Sequence, residues 1–253
     1  MGDGGDTPFY VGYLPVPRRL SRFLWLVVVA NLCFFLASAA ILARTMSDPG
    51  PAVWNDGEAR QFRGTFVLWP YPMLIDTAAA TPSARLLVEV GKHGVDRDFS
   101  ALKNNRVVAS GWTLDRGGQR MIELEPQAQS LASESPQSAA AKEMPLMPTS
   151  LGVVTLRGEI VDSKCYLGAM KPGDQKTHKA CATLCIRGGI PPVLVERLPG
   201  GGTRCTVLTN ADGGPLDPAA FDRIAEPVEM TGELEELAGV RRLRVRADAI
   251  RRL

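Results

Sequence analysis

One stretch of the chain is apolar on every face. Phe23 to Leu42 carries no charged side chain, and about 20 apolar residues at the rise of an α-helix cross a hydrocarbon core. A helix packed on a soluble core would keep a polar stripe, so residues 23–42 read as a transmembrane helix behind a short irregular tail (1–22). Arg18, Arg19 and Arg22 precede the run, whereas Arg44 alone follows closely before Asp48 and Asp56. The positive-inside rule then places the tail in the cytoplasm and the rest of the chain across the membrane. The expectation is a single-pass protein of the cell inner membrane with a periplasmic C-terminal portion. A cleaved signal peptide is the alternative, since Ala37-Ser38-Ala39 has the small residues of a cleavage site, but the apolar run continues past it. Residues 43–59, with Pro49, Gly50 and Pro51, have the composition of a spacer.

Past residue 60 the pattern changes to short β-type segments. Phe62–Leu68 and Arg85–Val90 are two of them, and Arg106–Leu114 and Arg120–Leu124 flank the turn Asp115-Arg-Gly-Gly118 as a hairpin. Phe99 and Leu102 stand at helical spacing, enough for one or two turns. Residues 60–126 thus form a first β unit. Residues 127–150, rich in Ala, Ser, Pro and Gln, read as a linker, and residues 151–253 as a second β unit that opens on Val153-Val-Thr-Leu-Arg-Gly-Glu-Ile-Val161.

The two units repeat each other, which decides the expected architecture. Arg63-Gly64-x-Phe66-Val67 corresponds to Arg157-Gly158-x-Ile160-Val161, and Leu87-Val88-Glu89 to Leu194-Val195-Glu196. Phe99-x-x-Leu102 corresponds to Phe221-x-x-Ile224, and Gly118-x-Arg120-x-Ile122-x-Leu124 to Gly239-x-Arg241-x-Leu243-x-Val245. Short strands with one helical turn before a closing hairpin predict a mainly β protein of two tandem OB-like barrels, with an extra strand at Arg204–Leu208 in the second. The first unit reads as a spacer or docking domain.

Charge narrows the partners. A net charge of +2 lacks the basic excess of a nucleic-acid binder, so no such partner is expected. Arg242, Arg244 and Arg246 alternate with Leu243, Val245 and Ala247, which makes a half-buried strand with a basic outer face. That face is solvated by default, and docking of an acidic redox partner is the sharper reading.

The chemistry is concentrated in the second unit. Of five cysteines and two histidines in the chain, Cys165, His178, Cys181 and Cys185 fall in one excursion that takes the place of a shorter loop in the first unit. His178, Cys181 and Cys185 share one face of a helix over Lys176–Ile186, stopped by Gly188-Gly189 and Pro191-Pro192. Cys165 folds back over the turn Lys171-Pro-Gly-Asp174. Two or three thiolates and an imidazole are a soft donor set for copper or zinc, and Met170 could add a thioether.

The Cys181-x3-Cys185 spacing resembles the copper motif of cytochrome oxidase subunit II and of copper-delivery proteins of thioredoxin-like fold. The resemblance spans those residues only, and with no second histidine after them it implies no binuclear centre. Disulfides compete with the metal reading, because Cys205 makes an even four in the second unit. Cys165 would then pair with Cys181 or Cys185, and Cys205 with the remaining one. A thiol-disulfide oxidoreductase, with His178 activating Cys181, is the third reading. His93 reads as a loop residue and Trp69-Pro-Tyr-Pro72 as an irregular strand end. The expected function is therefore a membrane-anchored binding or accessory protein of a membrane redox or assembly complex, acting in electron transfer or metal handling rather than as a stand-alone enzyme.

Overall fold

The computed structural model describes residues 16–45, 52–78, 80–135 and 146–253. The expected tail, spacer and linker therefore fall partly outside the described residues. The apolar run forms helix α1 (Arg18–Thr45), in which no residue is buried. It is long and apolar enough to cross a membrane.

Two closed five-stranded barrels follow within one compact unit, Pro49–Leu253. The first comprises β1 (Ala52–Leu68), β2 (Pro72–Asp76), β3 (Ser83–Val88), β4 (Arg106–Arg116) and β5 (Gln119–Leu124). β1 pairs antiparallel with β2 and with β4, β3 runs antiparallel to β2 and parallel to β5, and β4 and β5 form the hairpin. That closure is the OB order. A short β6 (Leu131–Ser133), inside the stretch whose composition reads as linker, adds to β4.

The second barrel repeats the order with β7 (Thr149–Asp162), β8 (Pro192–Arg197), β9 (Thr203–Thr209), β10 (Pro227–Leu237) and β11 (Val240–Arg244). β9 and β11 are its parallel pair, and β12 (Ile250–Arg252) extends β10.

The repeated residues mark equivalent points of the two barrels. Gly64 and Gly158 lie where neighbouring strands close in: a Cβ on Gly64 would sit 2.4 Å from the Ile75 carbonyl oxygen, and one on Gly158 2.3 Å from that of Val195. Backbone cannot yield there as a flexible side chain would. Gly158→Ala is accordingly expected to cost about 1–3 kcal/mol, read as a lower midpoint in a urea melt. The Leu102 amide donates to Phe99 O at 2.9 Å and the Ile224 amide to Phe221 O at 3.3 Å, in matching turns.

One correspondence is corrected. Leu87-Val88-Glu89 reaches β3, whereas Leu194-Val195-Glu196 lies on β8. The register Phe66↔Leu74 matches Ile160↔Leu194, so the counterpart of β8 is β2. Pro72 concealed β2 in the sequence, but a proline is accommodated as the first residue of a strand. With β3 matched to β9, the second barrel has no extra strand. β1 also starts earlier than residue 60: Ala52–Asn55 pair with β4 ahead of an irregularity between Asn55 and Arg60.

The first barrel is not a detachable spacer. Alternate residues of its strands point to opposite faces: Leu74 and Leu87 fill its interior, while Met73, Ile75, Leu86 and Val88 join a core shared with the second barrel. Val193, Val195, Val207, Tyr166 and Cys185 are the second barrel's side of that core, and Leu194 and Leu208 fill its interior. Polar contacts cross the same interface. Tyr71 Oη donates to Leu208 O at 3.2 Å, the Ala84 amide to Ala238 O at 2.9 Å, and the Arg242 guanidinium stacks 3.9 Å from the centroid of Trp69. The C-terminal arginines are largely neutralised: Arg242 pairs with Glu235, Arg244 with Glu233 and Arg246 with Asp248. This weakens the case for a basic docking face.

Candidate metal centre

In the first barrel β1 and β2 are joined by Trp69-Pro-Tyr71 alone, whereas in the second the equivalent β7 and β8 are joined by residues 163–191. The excursion starts with a π-helical turn, Cys165–Ala169. It then takes a short turn at Lys176–His178 and continues as helix α2 (Lys179–Arg187). Ala180, Ala182 and Leu184 favour the helix, and Gly188 with Gly189 at φ 92° ends it. Ala182, Cys185 and Ile186 form its buried side.

The four residues expected as donors fall in two overlapping groups. One donor atom each of Cys165, His178 and Cys181 lie within 4.8 Å of one another, and Asp162, Cys165 and Cys185 form a second such group. Cys165 is common to both. The Cys165 and Cys181 sulfurs stand 4.0 Å apart as free thiols, twice the length of about 2.05 Å that a disulfide requires.

Asp162, fully buried at the end of β7, organises the donors. Its Oδ1 accepts the Cys165 amide at 2.8 Å and its Oδ2 lies 2.9 Å from His178 Nε2. A carboxylate can only accept, so Nε2 donates to it. Carboxylate–histidine pairs of this kind fix the tautomer and raise the basicity of a metal ligand.

The thiols are not equivalent. The Cys165 thiol is pushed far up, chiefly because it donates to Cys185, then by burial and the Asp162 charge. Cys185 is held below the ordinary thiol range, chiefly by accepting that bond and secondarily by Lys92. Lys92 Nζ, from the loop after β3, donates to Cys181 Sγ at 2.7 Å and lies 3.9 Å from Cys185 Sγ.

Other residues stand apart. Met170 ends the π-turn and is 45% exposed. Cys205 on β9 belongs to neither donor group, and burial pushes its thiol up to about 12. The pairing of Cys205 with a remaining cysteine thus finds no support in the donor groups. His93 is an exposed loop residue 3.4 Å from Asp96.

Three polar residues of the site were not singled out from sequence. Asp162 was legible in principle, as the carboxylate closing the strand before Cys165. Lys92 is 89 residues from Cys181, and only docking of the barrels brings it near. Lys164, beside Cys165, is turned into the first barrel, where its Nζ reaches Glu123 Oε1 at 2.8 Å. No family model, curated protein or solved structure matches this chain.

Proposed function

We propose that this is a membrane-anchored metal-handling protein, with α1 as its single span and the barrels on the periplasmic side of the inner membrane. The metal is held by Cys165, His178, Cys181 and Cys185, with copper favoured over zinc, and serves a membrane-bound redox or assembly complex. The observation that carries this reading is the convergence of the donor groups on Cys165, with His178 oriented by a buried carboxylate. Thiolates with one imidazole favour Cu(I) and Zn(II) over harder ions. Cys181 is only partly buried, so the centre has an approach from solvent, which suits an ion that is delivered or passed on. A closed structural zinc site has no such need.

The test is the copper and zinc content of the full chain, purified in detergent from an oxidising compartment without chelator. The expected result is roughly one ion per chain, held more weakly in His178→Ala and unchanged in Cys205→Ser. The 4.0 Å contact of Cys165 and Cys181 supports one other reading, a reversible disulfide between them. Metal-free protein whose Cys165 and Cys181 resist alkylation until reduced would establish that reading instead.

A further inference from the structure

We propose that the metal centre is bipartite, the first barrel supplying Lys92 as a cation that compensates the charge of the thiolate-bound ion. This rests on the metal reading of the cluster. An exposed lysine ordinarily keeps its ammonium in bulk water, free to rotate. Lys92 is placed differently, because its loop is clamped from both sides by groups of the excursion itself.

On one side Lys164 Nζ donates to the carbonyls of Glu89 and Gly91 at 2.9 and 2.7 Å. On the other the Gly94 amide donates to Gly188 O at 2.7 Å. The backbones meet without side chains between them: a Cβ on Gly188 would lie 2.0 Å from Lys92 O, and one on Gly94 2.3 Å from Gly189 O. The glycines that end α2 are thus also the seat of the loop that carries Lys92. This arrangement seats the Lys92 backbone beside α2, and the exposed side chain reaches across to place its ammonium 2.7 Å from Cys181 Sγ.

The chemical consequence follows from charge. Three thiolates around Cu(I) leave a net charge of −2, and around Zn(II) of −1. An ammonium hydrogen-bonded to one sulfur offsets part of that charge and withdraws electron density from the thiolate. It favours retention of the ion by lowering the net negative charge of the centre. Outer-shell partners of this kind typically change metal affinity 10–100-fold. Lys92 acts through Cys181 and is a positioning residue, not a ligand.

The test compares the full chain in detergent with Lys92→Met and Lys92→Arg, each loaded anaerobically with Cu(I) and, separately, Zn(II). Affinity is read by competition with a chromogenic chelator. Lys92→Met is expected to bind at least tenfold more weakly, with an unchanged melting temperature of the metal-free protein, and Lys92→Arg to stay within about threefold of the parent. Equal affinity of Lys92→Met and parent overturns the role of Lys92 and leaves the metal site standing. Equal weakening in Lys92→Arg and Lys92→Met also overturns it, since charge would then not be what matters. No metal in the parent overturns both readings.

Discussion

Lys164→Met is expected to destabilise the folded unit by about 3–5 kcal/mol, a fall of about 10 °C in melting temperature for a domain of this size. Lys164 and Glu123 are almost fully buried, with side-chain exposures of 6% and 4%. They meet where the excursion of the second barrel enters the first. The lysine has a full set of acceptors in Glu123 Oε1, Glu89 O and Gly91 O. Methionine would fill most of the volume and leave a carboxylate buried without its cation, which is the costly way to break such a pair. Glu123 Oε2 already lacks a hydrogen-bond partner among the described residues. Adding Glu123→Gln should recover a substantial part of the loss, because the uncompensated charge is then gone. A thermal melt of the single and double variants checks this, and a single variant within about 1 kcal/mol of the parent would contradict it.

Cys165→Ser is expected to abolish metal binding, where loss of a more peripheral donor would only weaken it. Cys165 is the residue common to both donor groups, and its amide is held by Asp162 at 2.8 Å. Serine preserves the size and the backbone bond but replaces a soft sulfur with a hard hydroxyl that soft ions bind poorly. The same change at Cys205 should leave metal content untouched, because that thiol is raised to about 12 by burial and belongs to neither group. Metal content per chain separates the two, and retention in Cys165→Ser would show that the ion is held elsewhere.

What the sequence disclosed, and what it hid, follows from distance along the chain. The candidate donors were readable because Cys165 to Cys185 is a local segment, although His178 stands in the turn ahead of α2 and not on the helix itself. The barrels were readable through Gly64 and Gly158, since close strand approach demands glycine at the same place twice. Strand β2 was hidden by Pro70 and Pro72, which resemble a strand end although Pro72 opens the strand. The shared core was hidden for a different reason. Strands buried on both faces, such as Val193-Leu-Val195, read as short apolar runs, and nothing in such a run says which face meets another barrel. Lys92 and the Lys164–Glu123 pair belong with that core, because each exists only once the barrels have docked.

X-ray absorption at the edge of the bound metal, recorded on the whole chain in detergent, reads whether several sulfurs and one imidazole hold the ion. A first shell dominated by sulfur is expected, at about 2.3 Å if the ion is zinc, with a single nitrogen scatterer that is lost in His178→Ala. A first shell of oxygen and nitrogen alone, unchanged in that variant, would contradict it.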